Sequence, residues 1–274
     1  MAETLRLLFI GDVVGSSGLT LFRKWTPILV DKYKADGVIV NGENAAKNGC
    51  GITPQSIAEL KEGGATVITL GNHAWDHKEV YAALQERSDI VRPINYPSEC
   101  PGKGFTLFNV REHTIAIVNL HGRVFIKDLI DCPFKAIDSL LTFLKHKTPM
   151  VFVDFHAEAT SEKKIMAMHL DGRISGIYGT HTHVQTADEM IMPKGTSFIT
   201  DLGCCGALNS VIGMQYETAF KKMTIHNKVG RFAVETTGPF VFSGVVVDVD
   251  TATGKSVKIE RIRVIDQELV CSPA

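Results

Sequence analysis

Net charge is almost absent from this chain. Its 29 lysines and arginines meet 30 aspartates and glutamates, and the basic residues are spread along the sequence. It therefore carries no electrostatic footprint for duplex nucleic acid. Long apolar runs are lacking too, since no stretch approaches the roughly 20 residues that cross a bilayer. Residues 1–10 place Glu3 and Arg6 around a short apolar run and lack the apolar segment and cleavage site of a secretory leader. A cytoplasmic protein is the expectation. The six cysteines, at 50, 100, 132, 204, 205 and 271, show no Cys-x-x-Cys spacing, so neither a zinc knuckle nor a redox motif is indicated. A chain of 274 residues buries a core without disulfides, and reduced thiols are expected. Internal repeats and low-complexity linkers are missing as well, so one domain spanning 1–274 is expected.

What is present is a series of short apolar runs, four of the five closed by glycine with a polar side chain nearby and the run 150–155 by His156. Residues 5–10, 37–40, 65–70, 150–155 and 174–178 read as strands buried on both faces. A helix is expected over 16–33, capped by Ser16 or Ser17 and broken or kinked at Pro27. A second runs over 54–62, with Thr53 as N-cap and Pro54 in the first position. Further helices are expected over 76–87, 133–147 and 161–170; that over 133–147 sets Phe134, Ile137, Leu140, Leu141 and Leu144 on one side. Residues 105–110 with 114–120, and 240–249 with 257–265, read as hairpins. Residues 197–200 form a short strand and 201–214 a loop rich in Gly and Cys, while the Gly- and Asn-rich stretch 42–51 looks mobile. Strand–helix alternation early, with hairpins in the middle and at the end, suggests two packed mixed sheets with helices outside them.

Five of the segments that close apolar runs deliver metal-type ligands: Gly11-Asp12, Gly42-Glu43-Asn44, Gly71-Asn72-His73, Phe155-His156 and Gly179-Thr180-His181-Thr182-His183. Loops at the ends of such strands are where an open α/β sheet places its ligands. Taken singly, each has a plain structural explanation. Asp12 can cap a turn, Glu43-Asn44 can be a solvated loop, and His156 can be a hydrogen-bonded histidine. Taken together, Asp12, Glu43, Asn44, Asn72, His156, His181 and His183 offer oxygen and imidazole without thiolate, a donor set that suits Mn, Fe, Zn or similar ions. They are too many for one tetrahedral ion and suit two ions sharing a bridging carboxylate. Two ions about 3.5–4 Å apart clamp a phosphate and activate water. His181 and His183, two apart in an extended segment, would point the same way.

This set of motifs resembles the calcineurin-like metallophosphoesterases and, more narrowly, their YmdB-like branch of bacterial 2′,3′-cyclic-nucleotide phosphodiesterases. The resemblance covers almost the whole chain. It includes Gly11-Asp12-Val13-Val14-Gly15, Asn41-Gly42-Glu43-Asn44-Ala45-Ala46, Thr69-Leu70-Gly71-Asn72-His73, the stretch from Phe155 to Lys163, and Gly238-Pro239. It implies a four-layer αββα sandwich of two mixed sheets flanked by helices. It also implies two metal ions, one held by Asp12, Glu43, Asn44 and His183, the other by Glu43, Asn72, His156 and His181. Val14 stands where the broader superfamily has a histidine, and Glu43 where it has an aspartate, as in the narrower branch. An amide oxygen in place of an imidazole makes the first site harder, which favours iron or manganese over zinc. The mechanism implied is attack of a metal-bridging hydroxide on phosphorus, with His73 protonating the departing ribose oxygen. An imidazole, which titrates near neutrality, suits that task.

Weaker candidates surround this set. Glu158, Ser161 and Lys163 match the family stretch and could orient ligands. His77, His121 and His169 have no motif context. Cys204-Cys205 could border the site, Trp25 is expected to pack, and Trp75 lies near enough to His73 to stack on a base. The expected partner is a small phosphodiester such as a cyclic nucleotide, with a homo-oligomer left open. Two other readings stand beside it: a metal-bound nucleotide-sensing protein, and a phosphomonoesterase of the same fold. The second would want basic residues on the phosphate, for which only Arg123 and Lys127 are near.

Overall fold

The computed structural model describes residues 3–225 and 232–271. Its first half contains β1 (Thr4–Ile10), β2 (Asp12–Val13), α1 (Gly15–Tyr33), β3 (Gly37–Asn41), α2 (Pro54–Glu62), β4 (Val67–Thr69), α3 (Tyr81–Glu86), β5 (Ile90–Val91), β6 (Phe105–Val110) and β7 (His113–His121). The second half contains α4 (Pro133–Leu144), β8 (Val151–His156), α5 (Thr160–Leu170), β9 (Gly176–Thr180), β10 (Met190–Ile191), β11 (Ser197–Ile199), β12 (Cys204–Ala207), α6 (Tyr216–Thr224), β13 (Phe240–Asp250) and β14 (Ser256–Asp266). One sheet runs β2-β12-β13-β1-β3-β4-β5, with β14 on β13; the other runs β10-β11-β9-β8-β7-β6. Both are mixed. β1, β3, β4 and β5 are parallel while β13 is antiparallel to β1. In the other sheet β7, β8, β9 and β11 are parallel, edged by antiparallel β6 and β10.

The apolar runs are continuous because each central strand is covered on both sides. In β1, Leu8 and Ile10 face Leu19, Leu21, Phe22 and Leu29 of α1 and Ile57 and Leu60 of α2. The alternate residues Leu5, Leu7 and Phe9 face the second sheet, meeting Ile115, Ile117, Phe152 and Tyr178. The far side of that sheet, with Val118, Leu120, Val151, Val153 and Phe155, is covered by Ile137, Leu140, Leu141 and Leu144 of α4 and Met166, Ala167 and Leu170 of α5. The period-two alternation of side chains thus sends each apolar residue into one of two cores, and the order of layers is helix, sheet, sheet, helix.

Local signals explain several element boundaries and miss others. The expected cap of α2 is present: Ser56 N–H donates to Thr53 Oγ1 (3.2 Å) and Thr53 N–H to Ser56 Oγ (2.9 Å). α1 begins at Gly15 without a side-chain cap and runs through Pro27 unbroken to Tyr33. Pro27 is exposed, so the carbonyl it deprives of a donor is open to water. The helix expected over 76–87 is α-helical only from Tyr81, after a 3₁₀ turn at Lys78–Val80. Cys204 and Cys205 lie in β12, not in a loop; Cys204 pairs with Asp12 and Cys205 with Val13. Residues 41–46 are buried rather than a mobile loop. Among the described residues no helix is long and apolar enough to cross a membrane.

An aromatic joint links the sheets, with the Phe9 ring 5.1 Å from Phe152 and 4.4 Å from Tyr178. Phe152→Ala opens a cavity there, with an expected loss of about 3–5 kcal/mol, measured as a shift in the urea unfolding midpoint at unchanged slope.

Candidate metal centre and cleft

The parallel strands of both sheets end along one common edge, and the candidate ligands are carried there. Asp12 follows β1, Glu43 and Asn44 follow β3, and Asn72 and His73 follow β4. His156 is the last residue of β8, and His181 follows the last residue of β9. Gly71 makes the approach of the two sheets possible. A Cβ on it would stand 2.2 Å from Glu43 Oε2 and 2.4 Å from His156 Nε2, so any side chain would fill the space that these two groups share.

The hydrogen bonds around the histidines decide which nitrogens carry protons. Thr180 Oγ1 donates to Asp154 Oδ1 (2.6 Å), so it accepts from His156 Nδ1 (2.9 Å). His156 Nε2 is left as a lone pair. It faces Glu43 Oε1 at 3.0 Å, Asn72 Oδ1 at 3.1 Å and His181 Nδ1 at 3.0 Å. His181 Nε2 donates to Glu158 Oε2 (3.1 Å), which leaves its Nδ1 unprotonated as well. His183 Nδ1 donates to the carbonyl of Ile212 (2.9 Å), and its Nε2 faces Asn44 Oδ1 at 3.2 Å and Asp12 Oδ1 at 3.8 Å. The amide of Asn44 is fixed in that sense because its Nδ2 donates to the Gly49 carbonyl (2.9 Å). Asp12 Oδ1 is fully buried with no hydrogen-bond partner.

Lone pairs therefore face lone pairs, with no proton to join them. Buried acceptors arranged this way repel one another and are stable only around a cation. Glu43, His156 and His181 hold one donor atom each within 4.8 Å of one another. Burial drives the His156 imidazole down to about 3, so it is neutral and free to ligate. Burial works against ionisation of Glu43 too, but the His73 N–H, which donates to Oε2 (3.1 Å), helps hold its carboxyl below the ordinary range. Burial, reinforced by the neighbouring charges of Glu43, Asp201 and Asp154, pushes Asp12 well up. All the expected ligands meet at this edge, and their chemistry fits metal ions.

The segment that carries His181 and His183 is not extended as expected. Both take positive φ, 99° and 63°, a strained conformation for residues with a Cβ. The turn lets His181 present Nδ1 and His183 present Nε2. It is held from behind by a buried ion pair: Lys163 Nζ donates to Asp201 Oδ2 (2.7 Å), which also accepts from the N–H and Oγ1 of Thr182 (3.2 and 2.8 Å). Burial pushes Asp154, behind His156, up to about 6, against hydrogen bonds from Thr180, Thr69 and Asn41.

Asp154, Thr180 and Asp201 are functional positions not singled out from the sequence, although an Asp inside the apolar run Val151-Phe152-Val153-Asp154-Phe155 is a readable anomaly. Lys163 and Glu158 do contact the ligand segments, whereas Ser161, Arg123 and Lys127 are exposed. His77 donates to the Cys50 carbonyl, and His169 pairs with Asp138. His121 is buried beside His156, with ring centroids 5.5 Å apart, and its Nε2 is unpartnered. Trp25 packs, bonded to Asp266. Trp75 donates to the Pro101 carbonyl and packs edge-on against Tyr96, away from the cleft. Burial raises both Cys204 and Cys205, the latter to about 12, which makes them inert thiols.

Above the ligands lies a cleft of about 410 Å³, lined on one side by Glu43, Asn44, His73, Glu158, His181 and His183. His73 Nδ1 donates to Asp76 Oδ2 (2.7 Å), which leaves Nε2 free for a bound molecule. Because Lys163 and Asp201 are each 1% exposed, Lys163→Met strands a buried carboxylate. The expected cost is about 3–5 kcal/mol, read from urea unfolding.

Comparison with known proteins follows the same lines. The family model described as YmdB-like protein matches residues 8–262. A 2′,3′-cyclic-nucleotide 2′-phosphodiesterase of Bacillus subtilis is 46% identical over 97% of this chain and 99% of its own length. A crystal structure of a hypothetical protein from Thermus thermophilus superposes with a TM-score of 0.88 at 42% identity, covering 96% of this chain and all of that one. A structure described as a novel phosphatase of Mycoplasma pneumoniae gives a TM-score of 0.90 at 37% identity, covering 97% of this chain and 95% of that one. Matched from β1 to β14 in sequence and in fold, this chain belongs to the YmdB-like family.

Proposed function

We propose that the chain is a metal-dependent phosphodiesterase that hydrolyses 2′,3′-cyclic nucleotides or similar small diesters. The observation that carries this reading is the convergence of His156 Nε2, His181 Nδ1 and His183 Nε2, the opposite nitrogen of each ring donating to an outer partner, on the oxygens of Glu43, Asn72 and Asn44. Asp12, Glu43, Asn44 and His183 would hold one ion and Glu43, Asn72, His156 and His181 the other. The amide oxygen of Asn44 in place of an imidazole makes the first site harder, which favours iron or manganese over zinc. Bound there, the ions would supply positive charge against the phosphate oxygens and lower the pKa of the attacking water.

The residues of the chain then bind, orient and protonate. Hydrolysis forms a bond from water oxygen to phosphorus and breaks the bond from phosphorus to a ribose oxygen, which needs a proton to leave. His73 lines the cleft, and Asp76 on Nδ1 orients its ring so that Nε2 faces the space where that proton would be given. The Bacillus subtilis relative, by its name, cleaves the 2′ ester of 2′,3′-cyclic nucleotides, and the same bond is proposed here. Among the described residues lining the cleft there is no Lys or Arg.

Two measurements test this. The protein should hold two iron or manganese ions per chain and hydrolyse 2′,3′-cyclic AMP but not the 3′,5′ isomer. Glu43→Gln should lose both metal, by elemental analysis, and turnover; two bound ions with no turnover of any diester would favour a sensing role. For His73→Ala, kcat should fall about 10²- to 10⁴-fold at unchanged metal content. The loss should shrink for a p-nitrophenyl diester, whose leaving group departs without a proton, and full turnover of the cyclic nucleotide would remove His73 from the mechanism.

A further inference from the structure

Hydrolysis as described leaves one side of the cleft unused. The same cleft is lined by an apolar set, Val211, Ile212, Met214, Ala219, Met223 and Phe232, with Lys222 Nζ 3.9 Å from the Phe232 ring. Ile212 is 51% and Met223 76% exposed, so large apolar side chains stand open beside a polar site. The backbone at Ile212 is also strained, with φ at 48°, a region that β-branched residues rarely enter.

The surrounding turn enforces that strain. Val211 and Met214 exchange backbone hydrogen bonds (2.8 and 2.9 Å). Ser210 Oγ donates to the Ala207 carbonyl and accepts from Gly213 N–H (2.8 Å). A Cβ on Gly213 would meet Val14 at 2.5 Å, so the turn is pressed against the junction of β2 and α1. Its product is twofold: the Ile212 carbonyl accepts from His183 Nδ1 (2.9 Å), and the Ile212 side chain projects beside that histidine into the cleft. Glycine would adopt this backbone freely and keep the same carbonyl. What isoleucine adds is apolar surface at the site.

Resting on the phosphodiesterase reading, we propose that this wall seats the substrate's base. The planar face of a nucleobase lies against Ile212, Met214 and Met223 while the phosphate meets the polar side of the cleft. The cleft lies within the volume range of small-molecule sites, and the wall is continuous with His183, so its occupant is part of the molecule being cleaved. Methionine thioethers and aliphatic side chains pack well on flat aromatic surfaces. What Val211, Ile212, Met214, Ala219, Met223 and Phe232 offer a base is apolar area.

The test compares 2′,3′-cyclic AMP with glycerol 1,2-cyclic phosphate, which has the same five-membered ester ring and no base. Hydrolysis is followed by phosphorus NMR in the metal-loaded protein. Met223→Ala and Ile212→Gly should each lower the ratio of kcat/KM for the nucleotide to that for the glycerol ester by about fivefold or more, from the usual worth of base stacking. Adenosine, a base without phosphate, should bind each variant more weakly by calorimetry, and Ile212→Gly should unfold no sooner than the unaltered protein, since it removes strain. A ratio and an adenosine affinity that do not move in either variant would overturn the base seat while turnover of both esters leaves the phosphodiesterase reading standing. Turnover of neither ester by the unaltered protein would sink both.

Discussion

Buried acceptors that face one another without protons are the constraint around which this protein is arranged. Thr180 Oγ1 accepts a hydrogen bond from Nδ1 of His156, Glu158 from Nε2 of His181, and the Ile212 carbonyl from Nδ1 of His183. Each outer bond fixes a ring and leaves a lone pair directed at Glu43, Asn72, Asn44 or a neighbouring imidazole. Such a cluster is electrostatically unfavourable alone and favourable around cations, so binding energy and fold stability are coupled. The outer partners, as much as the ligands, define the site.

The rest of the architecture supplies rigidity against that repulsion. Two sheets meet over an aromatic joint, and the parallel strands of both deliver their ends to one edge. Gly71 lets Glu43 and His156 share a space that any Cβ would fill. The strained turn with His181 and His183 is anchored through Thr182 to Asp201, itself neutralised by Lys163 in the interior. A buried ion pair adds little net stability, but here it holds a backbone that would otherwise relax.

The cleft above divides the remaining work. On one side stand the Asp76-bound His73 and the polar edges of His181 and His183. On the other, the turn 211–214 joins an apolar surface to the carbonyl that orients His183. One strained residue thus belongs to both halves.

Much of this was legible in the amino-acid sequence, for physical reasons. Strands buried on both faces must be apolar throughout, so 5–10, 37–40 and 150–155 stood out. Glycine followed by Asp, Glu, Asn or His at their ends marked the ligand loops, because such groups have no other reason to gather there. Local chemistry also announced the cap of α2. What the sequence could not decide depends on distant contacts. Whether Pro27 breaks α1 depends on solvent at its outer face. Whether Cys204-Cys205 is loop or strand depends on pairing with residues 12 and 13. The proton on each histidine, the left-handed turn at His181 and His183, and the roles of Asp154, Asp201 and Ile212 come from partners far away in the chain. Side-chain chemistry was written locally; its direction was set only when the two sheets closed.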